Sequence, residues 1–142
     1  HPRVRRQRQM CIRDRIYTLD THFDDYLTTA EGKSLPVPHC IKGTVGHKLY
    51  GGLADALKGK LCFEKNTFPS LEMAKYLEGK DFDTIELCGL VSNICVLSNA
   101  VMAKSACPNS EIIVDSSLTA AADEEIHQKS LDVMKGLFIK VL

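Results

Sequence analysis

The sequence predicts an α/β domain whose parallel sheet is doubly wound, with helices on both faces in three layers. Three observations predict it. Short β-prone runs alternate with segments of helical apolar spacing. Gly, Pro or a capping residue marks most junctions. No linker, internal repeat or composition shift divides the 142 residues, a length that suits one core. Right-handed crossovers between parallel strands then give the doubly wound form.

The elements follow in chain order. Residues 16–19 form a β-prone run ending at Asp20. Residues 23–46 read as irregular, broken by Pro36, Pro38, Gly43 and Gly46. Residues 48–57 have some helical character, weakened by Gly51 and Gly52, and residues 61–64 read as a second strand. Ser70 can cap a helix with Leu71, Ala74 and Leu77 on one face, ended by Gly79. A third strand spans 84–88 and closes at Gly89. Ser92 or Asn93 caps the next helix, which runs to about Ala106 with Val96, Ala100, Val101 and Ala103 at helical spacing. Pro108 and Asn109 break it, and residues 111–114 form a fourth strand. Thr119 caps a long helix to Lys135, with Ala122, Ile126, Leu131 and Met134 broadly inward. Gly136 stops that helix before a last strand over 137–141.

Charge and hydropathy exclude several classes. Lys+Arg and Asp+Glu both total 18, so no global charge draws the chain to nucleic acid or an anionic membrane. No apolar run approaches the roughly 18 residues a membrane span requires, and no long apolar stretch follows the basic start as a signal peptide would. The six cysteines form no C-x-x-C pair, and most sit in apolar runs. They read as reduced thiols of a cytoplasmic protein.

Residues 1–15, HPRVRRQRQMCIRDR, carry six arginines and no periodic apolar face. They read either as a disordered basic arm or as a non-native segment, since QMCIRDR resembles a translated sequencing adapter. The segment is set apart from the fold, which leaves 16–142 as the domain.

In a doubly wound sheet the site lies beyond the carboxyl ends of the strands. Three clusters stand there. After the first strand come Asp20 and His22, then Glu31 and His39; two imidazoles with one or two carboxylates suit a borderline divalent metal. Each His alone reads equally as a surface or hydrogen-bonded imidazole. After the second strand comes Lys65, which alone is an ordinary solvated charge. After the third come Gly89 and then Cys95, in the first turn of a helix whose free N–H groups favour an anion. That setting favours the reactive thiolate, and the same amides could form an oxyanion hole. The alternative is a buried cysteine between Ile94 and Val96.

These segments resemble the nicotinamidase branch of the isochorismatase-like cysteine hydrolases, over about residues 16 to 142. LCGLVSNICVLSNAVMAK is similar to the family's nucleophile segment and FEKNTF to its lysine segment. TLDTH followed by LPVPHCIKGTVG is similar to its metal loop. The resemblance implies a six-stranded parallel sheet, a Cys-Asp-Lys triad with Cys95 as nucleophile and Lys65 as its lysine, and a cis peptide at Leu90-Val91. It implies an oxyanion hole from the Val91 and Cys95 amides. It also implies one divalent ion, zinc, iron or manganese, on Asp20, His22 and His39, with Glu31 as a further carboxylate.

Two departures stand beside this. The D-x-Q-x-x-F-like segment that carries the triad aspartate has no counterpart here, so the first strand and helix of the family read as missing and these residues as a weak catalyst. The chain has no Trp, and Pro36 stands where many relatives carry one near the second metal histidine. Substrate stacking would then fall to Phe68, Phe23 or Tyr26.

The function so implied is metal-assisted hydrolysis of a small carboxamide, nicotinamide to nicotinate and ammonia, through a thioester, as in NAD salvage. The substrate is a small-molecule amide, with neither nucleic acid nor membrane as partner and a homo-oligomer left open. The alternatives are another small-amide hydrolase of the superfamily and a catalytically inactive metal-binding domain.

Overall fold

The computed structural model describes residues 14–142. The basic segment set apart above therefore lies almost wholly outside the described residues. Among them, no helix is long and apolar enough to cross a membrane.

The strands are β1 (Ile16–Asp20), β2 (Leu61–Lys65), β3 (Thr84–Leu90), β4 (Glu111–Ala120) and β5 (Lys140–Val141). The helices are α1 (Ala30–Ser34), α2 (Leu53–Ala56), α3 (Leu71–Leu77), α4 (Leu97–Ala106) and α5 (Glu124–Gly136). All pairings are parallel, as expected for strands joined through helices. They fall into two ladders, β1-β2 and β3-β4-β5. In the first, Asp20 stands opposite Lys65, so the last residue of each strand reaches one place.

One core joins the layers. Met73 and Leu77 of α3, Ala100 and Ala103 of α4, Ile112 and Val114 of β4, and Leu131 and Met134 of α5 belong to one buried cluster. Ile112 and Val114 alternate on one face of β4, the period a pleated strand imposes. Burying each is worth about 1.5–3 kcal/mol.

Several expectations need correction. Leu71, Val101 and Ala122 are exposed; on α3 the inward position belongs to Met73. Strand β4 runs six residues past its expected end at Val114, rejoining β3 after a bulge with Gly89 opposite Thr119 and Leu90 opposite Ala120. Thr119 is therefore a strand residue. Asp123 caps α5 instead, its side chain accepting from the Ile126 N–H. Strand β5 is shorter than expected because Phe138, at φ +59°, ends α5 in a left-handed turn. Residues 23–46, expected to be irregular, contain single-turn 3₁₀ helices at Tyr26–Thr28 and Val45–His47 as well as α1.

Glycine at position 32 has a steric reason. A Cβ there would stand 2.0 Å from the Tyr26 carbonyl oxygen. Only a residue without a side chain lets α1 fold back on Tyr26, and this packing delivers Glu31 to the sheet edge.

Candidate active site

Strand β1 ends in Asp20, and the chain continues straight on. The Thr21 N–H donates to the Lys65 carbonyl at 2.8 Å, extending the ladder by one bond. The Thr21 hydroxyl donates to the Leu19 carbonyl at 2.9 Å, so it accepts from His47 Nε2 at 2.8 Å. His22 is then held by its backbone. Its N–H donates to the Cys40 carbonyl at 3.0 Å, and its carbonyl accepts from the Lys42 N–H at 2.8 Å. This pairing turns the chain through Cys40, at φ +49°, and sets His39 beside His22 with ring centroids 4.7 Å apart.

Four side chains converge there. His22 Nε2 lies 3.3 Å from Asp20 Oδ1 and 3.6 Å from Glu31 Oε1. His39 Nε2 lies 3.3 Å from Asp20 Oδ2 and 3.6 Å from Glu31 Oε1. His39 Nδ1 donates to the Val37 carbonyl at 2.7 Å, which leaves the Nε2 lone pair facing the cluster. His22 Nε2 and Glu31 Oε2 are buried without a hydrogen-bond partner. Nitrogen and oxygen atoms each about 2.1 Å from one ion stand roughly 3 to 3.5 Å apart, so this donor set fits a divalent metal. The ligand atoms of Asp20, His22 and His39 all lie within 4.8 Å of one another.

Tyr26 sits behind this cluster. It is 1% exposed and packs edge-on against His22 and His39 at 4.8 and 5.1 Å, and its hydroxyl donates to the Leu35 carbonyl at 2.8 Å. Burial, with the Glu31 and Asp20 carboxylates nearby, pushes the phenol up, so it serves as a neutral donor. The structure thus places Tyr26 as a support for the histidines, whereas Phe23 and Phe68 remain open to solvent.

The second half of the site centres on Lys65, a buried cation at the end of β2. Its ammonium donates to Asp20 Oδ1 at 3.5 Å, to the Thr67 carbonyl at 3.2 Å and to Cys95 Sγ at 3.5 Å. All three of its donors are therefore used. Asp20 joins the two halves, since its Oδ1 faces both His22 and Lys65.

Cys95 follows a cis peptide at Leu90-Val91, the bond that the resemblance implied. Neither Ser92 nor Asn93 caps the helix. Val91 holds that place without a side-chain bond, and Ser92–Val96 forms a π turn ahead of α4. Ser92 is fully buried, and its hydroxyl shares a hydrogen with His127 Nδ1 at 2.8 Å, tying the turn to α5. Glu64, the neighbour of Lys65, is bound to Lys42 at 2.8 Å, and that hydrogen bond holds its carboxyl below the usual range. Of the other thiols, burial and then the Asp20 carboxylate push Cys40 up, against the opposing Lys65. Burial likewise pushes Cys107 up. Cys40, Cys62, Cys88, Cys95 and Cys107 are all free.

Sequence reasoning missed three contacts here: Asp20 with Lys65, Thr21 with His47, and Ser92 with His127. Each pairs residues far apart in the chain, and local pattern carries no signal for them.

The isochorismatase domain profile matches residues 6–142. No curated protein matches the chain. A pyrazinamidase/nicotinamidase from Streptococcus mutans is 26% identical, with a TM-score of 0.78 over 99% of this chain and 81% of that one. A nicotinamidase/pyrazinamidase from Bacillus subtilis is also 26% identical, with a TM-score of 0.75 over 89% of this chain and 73% of that one. The pyrazinamidase of Pyrococcus horikoshii in complex with zinc is 20% identical, with a TM-score of 0.74 over 99% and 83%, and it supports the fold.

Proposed function

Because the chain belongs to the isochorismatase family, whose fold it shares with the hydrolases above, we propose that it is a metal-assisted cysteine amidohydrolase acting on a small carboxamide, nicotinamide foremost. The observation that carries this reading is Lys65. A buried ammonium stands 3.5 Å from Cys95 Sγ and 3.5 Å from a carboxylate oxygen that also faces an imidazole. A structural cysteine needs no such partner.

In this reading Asp20, His22 and His39 hold one divalent ion, with Glu31 beside them. When bound, the ion supplies a Lewis-acidic anchor for a neutral substrate. Zinc is favoured, since two imidazoles and one or two carboxylates suit it and the Pyrococcus horikoshii pyrazinamidase is described with zinc. Phe23 and Phe68, both exposed, would flank an aromatic amide in this reading.

Cys95, whose Sγ accepts from the Lys65 ammonium, attacks the carboxamide carbon. The Val91 and Cys95 amides receive the oxyanion. The C–N bond breaks, the thiol's proton goes to the leaving nitrogen, and ammonia departs from a thioester. Water then cleaves the thioester to the acid and restores the thiol. The resemblance assigns the carriage of that proton to an aspartate whose segment this chain does not show. Glu64 does not take its place, being engaged by Lys42.

A catalytically inactive metal-binding domain is the competing reading. Cobalt(II) loaded at one equivalent separates the two. The expected result is a change in the visible spectrum on adding nicotinamide, together with ammonia release that disappears in Cys95→Ala. A spectrum indifferent to the amide, or ammonia release that survives Cys95→Ala, contradicts the proposal.

A further inference from the structure

Asn99 lies one helical turn beyond Cys95 on α4, and it is a neutral polar side chain only 5% exposed. Its Oδ1 accepts from the Ser70 N–H at 2.8 Å. Its Nδ2 donates to the Phe68 carbonyl at 3.2 Å and to the Cys95 carbonyl at 2.8 Å. Both amide donors and the acceptor are therefore engaged. The orientation is unambiguous, because a flipped amide would set N–H against N–H and oxygen against two carbonyls.

The partners matter more than the number of bonds. Residues 65–70 leave β2 at Lys65 and enter α3 at Ser70, whose hydroxyl caps that helix at the Met73 N–H. Inside this loop the Thr67 carbonyl takes the Lys65 ammonium, and the next carbonyl, that of Phe68, takes Asn99. The Cys95 carbonyl takes the other Asn99 proton. One buried amide thus fastens the lysine's loop to the nucleophile's backbone. The π turn at Ser92–Val96 lies beside this junction and departs from ordinary helical bonding.

We infer that Asn99 is a positioning residue, acting through the 65–70 loop to hold the Lys65 ammonium against Cys95 Sγ. The inference rests on the proposed role of Cys95 and Lys65 as a reactive pair. It adds what keeps that pair in register and, through the Phe68 carbonyl, what fixes one aromatic wall of the substrate site.

A double-mutant cycle on the folded 142-residue chain tests it. The readout is the rate at which iodoacetamide labels Cys95, with Cys107 as an internal gauge of folding because it is buried and labels only when the fold opens. Asn99→Ala should slow Cys95 labelling about tenfold, Lys65→Met should slow it at least as much, and the double variant should be no slower than Lys65→Met alone. Asn99→Asp serves if the alanine variant does not fold. It keeps the shape and the acceptor for Ser70, sets acceptors against two carbonyls, and should show the same loss. Multiplying rather than overlapping effects, or unchanged labelling in Asn99→Ala with Cys107 still protected, overturns the inference while leaving the cysteine reading in place. Wild-type Cys95 that labels no faster than Cys40 overturns both.

Discussion

The two halves of the site are built on opposite terms. Around Asp20, His22, Glu31 and His39 the fold gathers four side chains and leaves two buried atoms, His22 Nε2 and Glu31 Oε2, without partners. Around Lys65 and Cys95 the ammonium's three donors are engaged, and Ser92, Asn99 and His127 are all bonded in the interior. Orphaned buried polar atoms are costly unless something completes them. In the proposed reading a bound ion would complete the first half, whereas the second is completed by the chain's own hydrogen bonds. Removing the ligand should injure the first half; cutting internal bonds should injure the second.

The largest expected effect is on the metal half. His22→Ala should lower metal affinity roughly 100-fold or more, leaving well under one equivalent after dialysis, because direct ligands matter more than the outer partners whose loss costs 10- to 100-fold. Metal analysis of the dialysed variant checks this, and a full equivalent would remove His22 from the site. Next comes chelation of the wild type. An ion present at 100 to 1,000 times its Kd stabilises by about 3–4 kcal/mol, so its removal should lower Tm by roughly 10 °C. The same treatment should leave His22→Ala nearly unmoved.

Gly32→Ala sharpens the contrast, since it removes no ligand atom. The added Cβ has no room against the Tyr26 carbonyl, 2.0 Å away. It should displace α1 and Glu31, costing about 1–3 kcal/mol of stability and weakening the metal without touching Cys95 labelling. The smallest effect on the metal is expected from Ser92→Ala in the second half. It leaves His127 Nδ1 buried without its partner, at about 1–3 kcal/mol, while metal titration stays as in the wild type. A metal defect in Ser92→Ala would dissolve the distinction between the halves.

The sequence was most legible where local rules govern. Four of the five strands begin where their β-prone runs begin, and Ser70 caps α3 as its position suggested. The convergence of Cys95, Lys65 and the Asp20–His22–His39 set was legible because these residues follow strand ends. Legibility failed where tertiary packing decides. Thr119 looked like a helix cap, yet its strand continues because β3 is there to pair with it. Helix α1 carries a glycine that propensity counts against it, and only the approach to Tyr26 explains it. Tyr26 offered an aromatic ring for a substrate, but its ring and hydroxyl are both spent inside the protein. Asn99 carries no local signal, because its partners at Phe68 and Ser70 lie about 30 positions away.

The measurement that bears most directly on the account couples the two halves. Cys95 labelling by iodoacetamide is followed with and without saturating nicotinamide, on metal-loaded and on chelated protein, with exposed Cys88 as the reference thiol. If the metal half docks the amide whose carbonyl carbon Cys95 attacks, nicotinamide slows Cys95 labelling several-fold in the loaded protein only, and Cys88 is unaffected. Protection that is absent in the loaded protein, or equal after chelation, would contradict it.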